Sequence, residues 1–316
     1  FLNTTSFFSK YSFISNMLNT TEEKKLDTLT SETHYRNLSS IIDYGIYADF
    51  DYFLSTSHCL SFGSKITWNG FIPGRISLSY KDNTGIDYSY YQSTNANAIE
   101  ANTYIEDKFY LYNKWTMNAG LHYSLYKVGD ISYSSFQPRI RSSVEFENWA
   151  LKCSGGYMVQ PIHNLVNNTS GLTVDIWVPS ESGIKPASSL QFDLGIDWFF
   201  KKIYTLSINC YWRKMNNILT YQNGESFFRM YDNWTDKVIS GKGESYGLEM
   251  MLRKTDGRLT GWTGYTWAVS KQQFYSLNKG LPFPSSYDRP HYFTISANYN
   301  FSERVQLSGN WIFSSG

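Results

Sequence analysis

The sequence predicts an all-β chain, the wall of an antiparallel transmembrane β-barrel with about 13 strands in these 316 residues. Three observations carry this. Apolar and polar residues alternate with a period of two nearly throughout, which places one apolar row on each strand. Connections alternate between tight turns and long loops, as they do in outer-membrane barrels. Aromatic residues are abundant (26 Tyr, 21 Phe, 10 Trp) and collect near strand ends.

The strands are expected at about 2–18, 38–53, 57–70, 96–112, 115–127, 135–146, 149–158, 189–200, 203–216, 241–254, 258–271, 291–301 and 304–314. In the ninth, Tyr204, Leu206, Ile208, Cys210 and Trp212 alternate with Thr205, Ser207, Asn209, Tyr211 and Arg213. Trp115–Leu125 and Val305–Phe313 read the same way. Many of these strands reach the 9–11 residues that a tilted strand needs to cross a bilayer. Tight turns fall at Leu54-Ser55-Thr56, Asn113-Lys114, Glu147-Asn148, Lys201-Lys202, Thr255-Asp256-Gly257 and Ser302-Glu303. Between them lie polar or Gly/Pro-bearing loops at about 19–37, 71–95, 159–188, 217–240 and 272–290, with a shorter connection near 128–134. The short set is expected on the periplasmic rim.

The aromatics then read as interfacial girdles, since an amphipathic ring prefers the headgroup layer. Trp68, Trp115, Trp149, Trp198, Trp212, Trp262, Trp267, Tyr299, Phe301, Trp311 and Phe313 are the candidates. The opposite row is polar: Gln137, Arg139, Arg141, Ser143 and Glu145 on one strand, Ser245, Gly247, Glu249 and Arg253 on another. An Arg or Lys facing lipid at the midplane costs about 2–4 kcal/mol, so these rows face a wet interior or a plug.

Other classes fall away. The longest apolar run is Phe109-Tyr110-Leu111-Tyr112, far short of the roughly 20 residues of a membrane-spanning helix. With 28 basic and 27 acidic residues there is no basic excess to meet a nucleic acid. Cys59, Cys153 and Cys210 are too scattered for a zinc or redox motif. The five histidines (His34, His58, His122, His163, His291) form no ligand spacing, and phosphate-loop, nucleophile-elbow and zinc-protease motifs are absent. No catalytic residue, metal site or cofactor is expected.

An open sheet of 13 strands would leave two unpaired edges in lipid, and bacterial single-chain barrels close with an even number. No basic-then-apolar leader precedes Phe1, and the sequence stops at Ser314-Ser315-Gly316. Residues 1–316 are therefore expected to be a barrel segment, with strands missing at both ends.

Four stretches carry a resemblance. They are Asp175-Ile176-Trp177-Val178-Pro179-Ser180 with Gly183-Ile184-Lys185-Pro186, leading into Gln191–Gly195; Tyr211–Asn217; Gly241–Glu249; and Tyr287-Asp288-Arg289-Pro290-His291. In this order and spacing, the chain resembles the TonB-dependent receptors of Bacteroidota, most clearly from about Phe136 to Gly316. The resemblance implies a 22-stranded barrel plugged by an N-terminal domain in the outer membrane. Such a receptor imports a scarce nutrient with energy delivered by TonB, in some members beneath a surface lipoprotein. This chain departs from the pattern in lacking the plug and the TonB box.

A ligand contact would lie on the long loops, where rigid scaffolds place binding groups. The aromatics Trp177, Tyr231, Trp234 and Phe274 are the candidates, beside Phe227, Phe228 and Tyr275. They either stack on a flat ligand or pack the loops on one another. Besides the receptor reading stand a passive porin-like channel and a secreted β-rich adhesin or glycan-binding protein; an outer-membrane enzyme is the weakest alternative.

Overall fold

The computed structural model describes residues 1–24, 28–112, 114–167, 174–225 and 233–315. One antiparallel sheet runs in sequence order through β1 (Leu2–Lys24), β2 (Thr28–Phe53), β3 (His58–Asp82), β4 (Asp87–Leu111), β5 (Trp115–Val128), β6 (Ile131–Glu145) and β7 (Trp149–Gln160). Two strands then leave it, β8 (Ile162–Asn167) and β9 (Val174–Pro179), which pair only with each other. The sheet resumes with β10 (Ala187–Phe200) beside β7, then β11 (Tyr204–Tyr221), β12 (Val238–Lys254) and β13 (Leu259–Gln273). A two-residue strand, β14 (Phe283–Pro284), adds to the end of β13, and β15 (His291–Ser302) and β16 (Val305–Ser314) complete the order. All thirteen expected main strands are present, in the expected order. Among the described residues no helix is long and apolar enough to cross a membrane.

The tight turns separate β2 from β3, β4 from β5, β6 from β7, β10 from β11, β12 from β13 and β15 from β16, all on one rim. Asn113, in the second of these turns, lies outside the described residues. On the other rim, the expected loops at 19–37 and 71–95 are corrected. β1 and β2 stay in register out to Lys24 opposite Thr28, and β3 and β4 out to Lys81 opposite Asp87. These segments are rich in polar residues, which reads as loop in composition. Yet period-two runs such as Ile76-Ser77-Leu78-Ser79-Tyr80 have strand propensity, and beyond the lipid a ribbon needs no apolar face. Irregularities at Leu38/Ser40 and Phe71/Gly74 mark where the ribbons leave the main wall. The second contains Pro73, which a sheet interior accepts only at a bulge. The connection near 128–134 closes as a turn at Gly129-Asp130, with Gly129 at φ +54°.

The two rows of each strand part as the sequence predicts. Phe8, Tyr44 and Trp68 are neighbours across β1, β2 and β3, with ring centroids 5.1 and 5.5 Å apart, and all three are exposed. Phe50 stacks on Phe62 at 5.2 Å, and Trp149 lies opposite Trp198 beside the tight turns. Cross-strand pairs of this kind contribute about 0.2–1 kcal/mol each. A soluble sheet would bury such rows; here they stand open for lipid. Trp262 is an exception among the girdle candidates: its cross-strand partner is Arg253, so it lies in the polar row.

Candidate functional site: the polar face and the hairpin laid across it

The polar rows of neighbouring strands carry clusters of cross-strand hydrogen bonds and ion pairs. Glu106 on β4 accepts from Asn118 Nδ2 at 3.4 Å and lies 3.5 Å from His122 and 3.9 Å from Arg139. Further round, Asp193 accepts from Ser154 Oγ at 3.0 Å and from Gln191, and Gln191 in turn accepts from Arg213 at 2.7 Å. Lys152 pairs with Asp197, which also accepts from Ser207 Oγ at 2.6 Å. Between these groups opens a recess of about 350 Å³ lined by Glu106, Asn118, Arg139, Arg141, Gln191 and Asp193. Arg141 is exposed and forms no ion pair among the described residues. Charges held in cross-strand networks suit a wet or protein-filled interior and exclude lipid contact.

Across this face lies the β8–β9 hairpin. Sequence composition assigned 159–188 to a loop, and the structure folds it inward. Because hairpin side chains alternate, each of its faces meets a different part of the wall. Leu165, Ile176 and Val178 pack with Ile184 and Val238, against Phe13 of β1 and Leu219, Tyr221 and Trp234 of the β11–β12 region. On the other side, Ile162 and Trp177 pack against a cluster of Ile41, Phe71, Ala98, Tyr126 and Val128 from β2 to β5. The hairpin is thus a wedge between distant strands of the wall. Burial of an aliphatic side chain contributes about 1.5–3 kcal/mol as an upper estimate. Val178 is 0% exposed, so this seating is among the tightest in the molecule.

Polar bonds fix the wedge's foot. The Ser180 N–H donates to Pro161 O at 2.7 Å, closing the hairpin base. Tyr133 Oη donates to Glu181 O at 3.0 Å, tying the following turn to β6. Asn217 Nδ2 donates to Pro186 O at 2.9 Å where the chain rejoins the sheet. His163 is buried, with Nε2 3.0 Å from Ser180 Oγ. Burial pushes its imidazole down to about 4, opposed by a bond to the Lys185 backbone, so the ring is neutral near pH 7. Glu181 shifts upward, also through burial.

The four motif stretches meet here or brace this rim. Asp175–Ser180 and Gly183–Pro186 are the second strand of the wedge and its anchor, and Asn217 is the clamp on Pro186. Gly241 leaves room for the Phe274 ring, which a Cβ would strike. In Tyr287–His291, Asp288 Oδ1 accepts from the Ser270 N–H at 2.7 Å and His291 Nδ1 lies 2.9 Å from Tyr265 Oη. Of the ligand candidates, Trp177 and Trp234 are half-buried in the two clusters. Phe274 is 1% exposed, so its place is packing. Tyr231, Phe227 and Phe228 lie outside the described residues. Missed from sequence were the roles of His163 and Tyr133, which no motif or charge pattern distinguishes; Asn217 closes one of the motif stretches, but its bond to Pro186 is not legible there. Among the described residues no group of three metal-ligating side chains occurs.

A strand-spanned wall with apolar rows outward, polar rows inward and sorted connections defines a membrane β-barrel segment. The chain belongs to the TonB dependent receptor-like β-barrel family, whose model matches residues 2–316. That family is one of receptors and not of enzymes. No curated protein matches the chain. Among solved structures it is similar to the FrpB iron transporter of Neisseria meningitidis (F5-1 variant), at 15% identity and TM-score 0.62, covering 95% of this chain and 50% of that one. The ferric citrate transporter FecA in its unliganded form matches at 14% identity and TM-score 0.60, over 98% and 46%. The ferripyoverdine receptor of the Pseudomonas aeruginosa outer membrane matches at 11% and 0.59, over 96% and 43%. The chain spans about half the length of these structures.

Proposed function

We propose that residues 1–316 are part of the barrel wall and surface loops of a TonB-dependent receptor that actively imports a scarce nutrient across the outer membrane of a bacterium of the Bacteroidota. The tight turns face the periplasm and the long ribbons the exterior. The plug domain and the remaining strands of a barrel that the family resemblance makes 22-stranded belong to a longer protein, and TonB engages that plug. A surface lipoprotein on the long ribbons is a further partner compatible with this reading. The supporting observation is the family match over nearly the whole chain, joined to a polar inner face already crossed by a folded wedge. A freely open pore has no use for such a wedge. Trp177 and Trp234 remain the candidate ligand contacts among the described residues, while Phe274 packs against Gly241 and Phe283.

The test is uptake in cells lacking TonB. Cells carrying the full-length protein are offered labelled ferric siderophores, cobalamin, peptides and glycans at limiting concentration. Uptake of one class should require both the protein and TonB. Uptake that survives loss of TonB would establish a passive channel instead.

A further inference from the structure

The outer, apolar face is not uniformly filled. On β7, the outward positions Cys153 and Gly155 carry little side chain, and the Phe192 ring leans to within 2.9 Å of where a Gly155 Cβ would stand. A groove of about 480 Å³ opens there between Ile140, Phe192, Leu194, Cys210 and Trp212, its exposed lining almost wholly apolar. Along the same strand toward the tight turns a second hollow of about 370 Å³ lies between Trp149, Ile196, Trp198, Leu206 and Ile208. The outward rows of β10 and β11 join the two, since Ile196 follows Leu194 and Ile208 precedes Cys210.

The length of this path is informative. From Phe192 to Trp198 is six residues, about 20 Å at a strand rise near 3.3 Å. A strand tilted by about 40° projects this to roughly 15 Å along the membrane normal. That is half of a hydrocarbon core of about 30 Å, the depth of one leaflet.

At the foot of the groove stand cations. The turn after β10 is Lys201-Lys202-Ile203, and both lysines have left-handed backbones, at φ +50° and +58°. Gly or Asn adopts this conformation with far less strain, whereas a long side chain costs about 1 kcal/mol or more. Lys254 on β12 lies in the same outward row as Leu252, with Nζ 5.9 Å from the centre of the Tyr204 ring. None of the three forms an ion pair among the described residues. Glu147 and Asp256 sit in the adjoining turns, where they are outnumbered by these lysines and Arg258.

We infer that this strip holds one anionic phospholipid of the periplasmic leaflet, its phosphate against Lys201, Lys202 and Lys254 and one acyl chain in the groove up to Cys153 and Gly155. The inference rests on the barrel lying in a membrane, and is independent of what it imports. It explains why a turn that favours small residues keeps two lysines. Attraction of an anionic headgroup is about fivefold per basic residue, on the order of a hundredfold for three.

Native mass spectrometry of the full-length protein in mild detergent, titrated with phosphatidylglycerol or phosphatidylethanolamine, tests this. Wild type should retain one phosphatidylglycerol in preference to phosphatidylethanolamine. The variant Lys201→Asn with Lys202→Gly should unfold at higher temperature, because its turn is relaxed, yet lose phosphatidylglycerol by about 25-fold. Cys153→Phe, which fills the groove but leaves every charge, should also weaken retention. Equal retention by wild type and both variants, or no preference for the anionic lipid, would overturn the site. Absence of a heat-modifiable band on gels would instead bring down the barrel placement, and the lipid site with it.

Discussion

His163 couples the wedge to pH. Its ring is held neutral by burial, near 4 against an ordinary value of 6.5, so an opened hairpin binds a proton more readily than a seated one. Stability of the seated hairpin therefore rises with pH between about 4 and 6.5, is complete above that window and is lost below it. The full span corresponds to at most about 3 kcal/mol. Glu181 acts in the opposite sense: its raised carboxyl favours the seated form in acid, and that contribution fades as pH rises. His163 is the more deeply buried, so it sets the net slope. Amide exchange of residues 162–167, corrected for intrinsic rates, should show protection falling from pH 7 to 4.5, with His163→Asn flattening the profile. Gly241 offers a sharper residue-scale test. Gly241→Val would drive a side chain into Phe274 and the Gln273 carbonyl, costing about 1–3 kcal/mol measurable as a lower melting temperature.

At the scale of elements, the wedge stands on apolar faces rather than on its few hydrogen bonds. Val178→Asp would bury an unpaired carboxylate at a position with no exposure, a change of several kcal/mol that its neighbours cannot absorb. The hairpin should then leave the wall, and limited proteolysis should cut within 162–186 where wild type resists. Asn164→Asp, at an exposed site on the same hairpin, should leave the digestion pattern alone. The main strands were legible in the sequence because lipid and lumen impose opposite demands on alternate residues. Where that demand lapses, legibility lapses with it. The ribbons at 19–37 and 71–95 have no lipid face, so polarity hid the continuing strands. In Ile162-His163-Asn164-Leu165 and Val174-Asp175-Ile176-Trp177-Val178 apolar residues fall on both faces, so no single apolar row stands out, and six-residue strands beside Pro161 and ending at Pro179 read as loop. The loop aromatics stood out as rings, while the contacts that seat them come from β2 to β5 for Trp177, from the hairpin cluster for Trp234 and from Gly241 and Phe283 for Phe274.

For the whole molecule, one choice of sides governs everything else, and paired arginines can interrogate it. Leu194 is exposed, on the outward row of β10 opposite Cys210, midway between the rims. Thr266 lies on the inward row of β13 opposite Glu249, beside the Lys152–Asp197 pair. If the apolar rows meet lipid, Leu194→Arg places a charge in hydrocarbon and should cost about 2–4 kcal/mol. Thr266→Arg places the same charge beside a carboxylate in a polar interior and should change stability by less than about 1 kcal/mol. The measurement is the fraction of full-length protein folded into lipid vesicles, read as the heat-modifiable band across a urea series. Leu194→Arg should shift the midpoint to lower urea, and Thr266→Arg should track wild type. A soluble sandwich predicts the same large penalty at Leu194 with or without vesicles, because its core would be protein. A penalty at Leu194 that appears only when lipid is the surrounding phase therefore separates a membrane wall from a buried core.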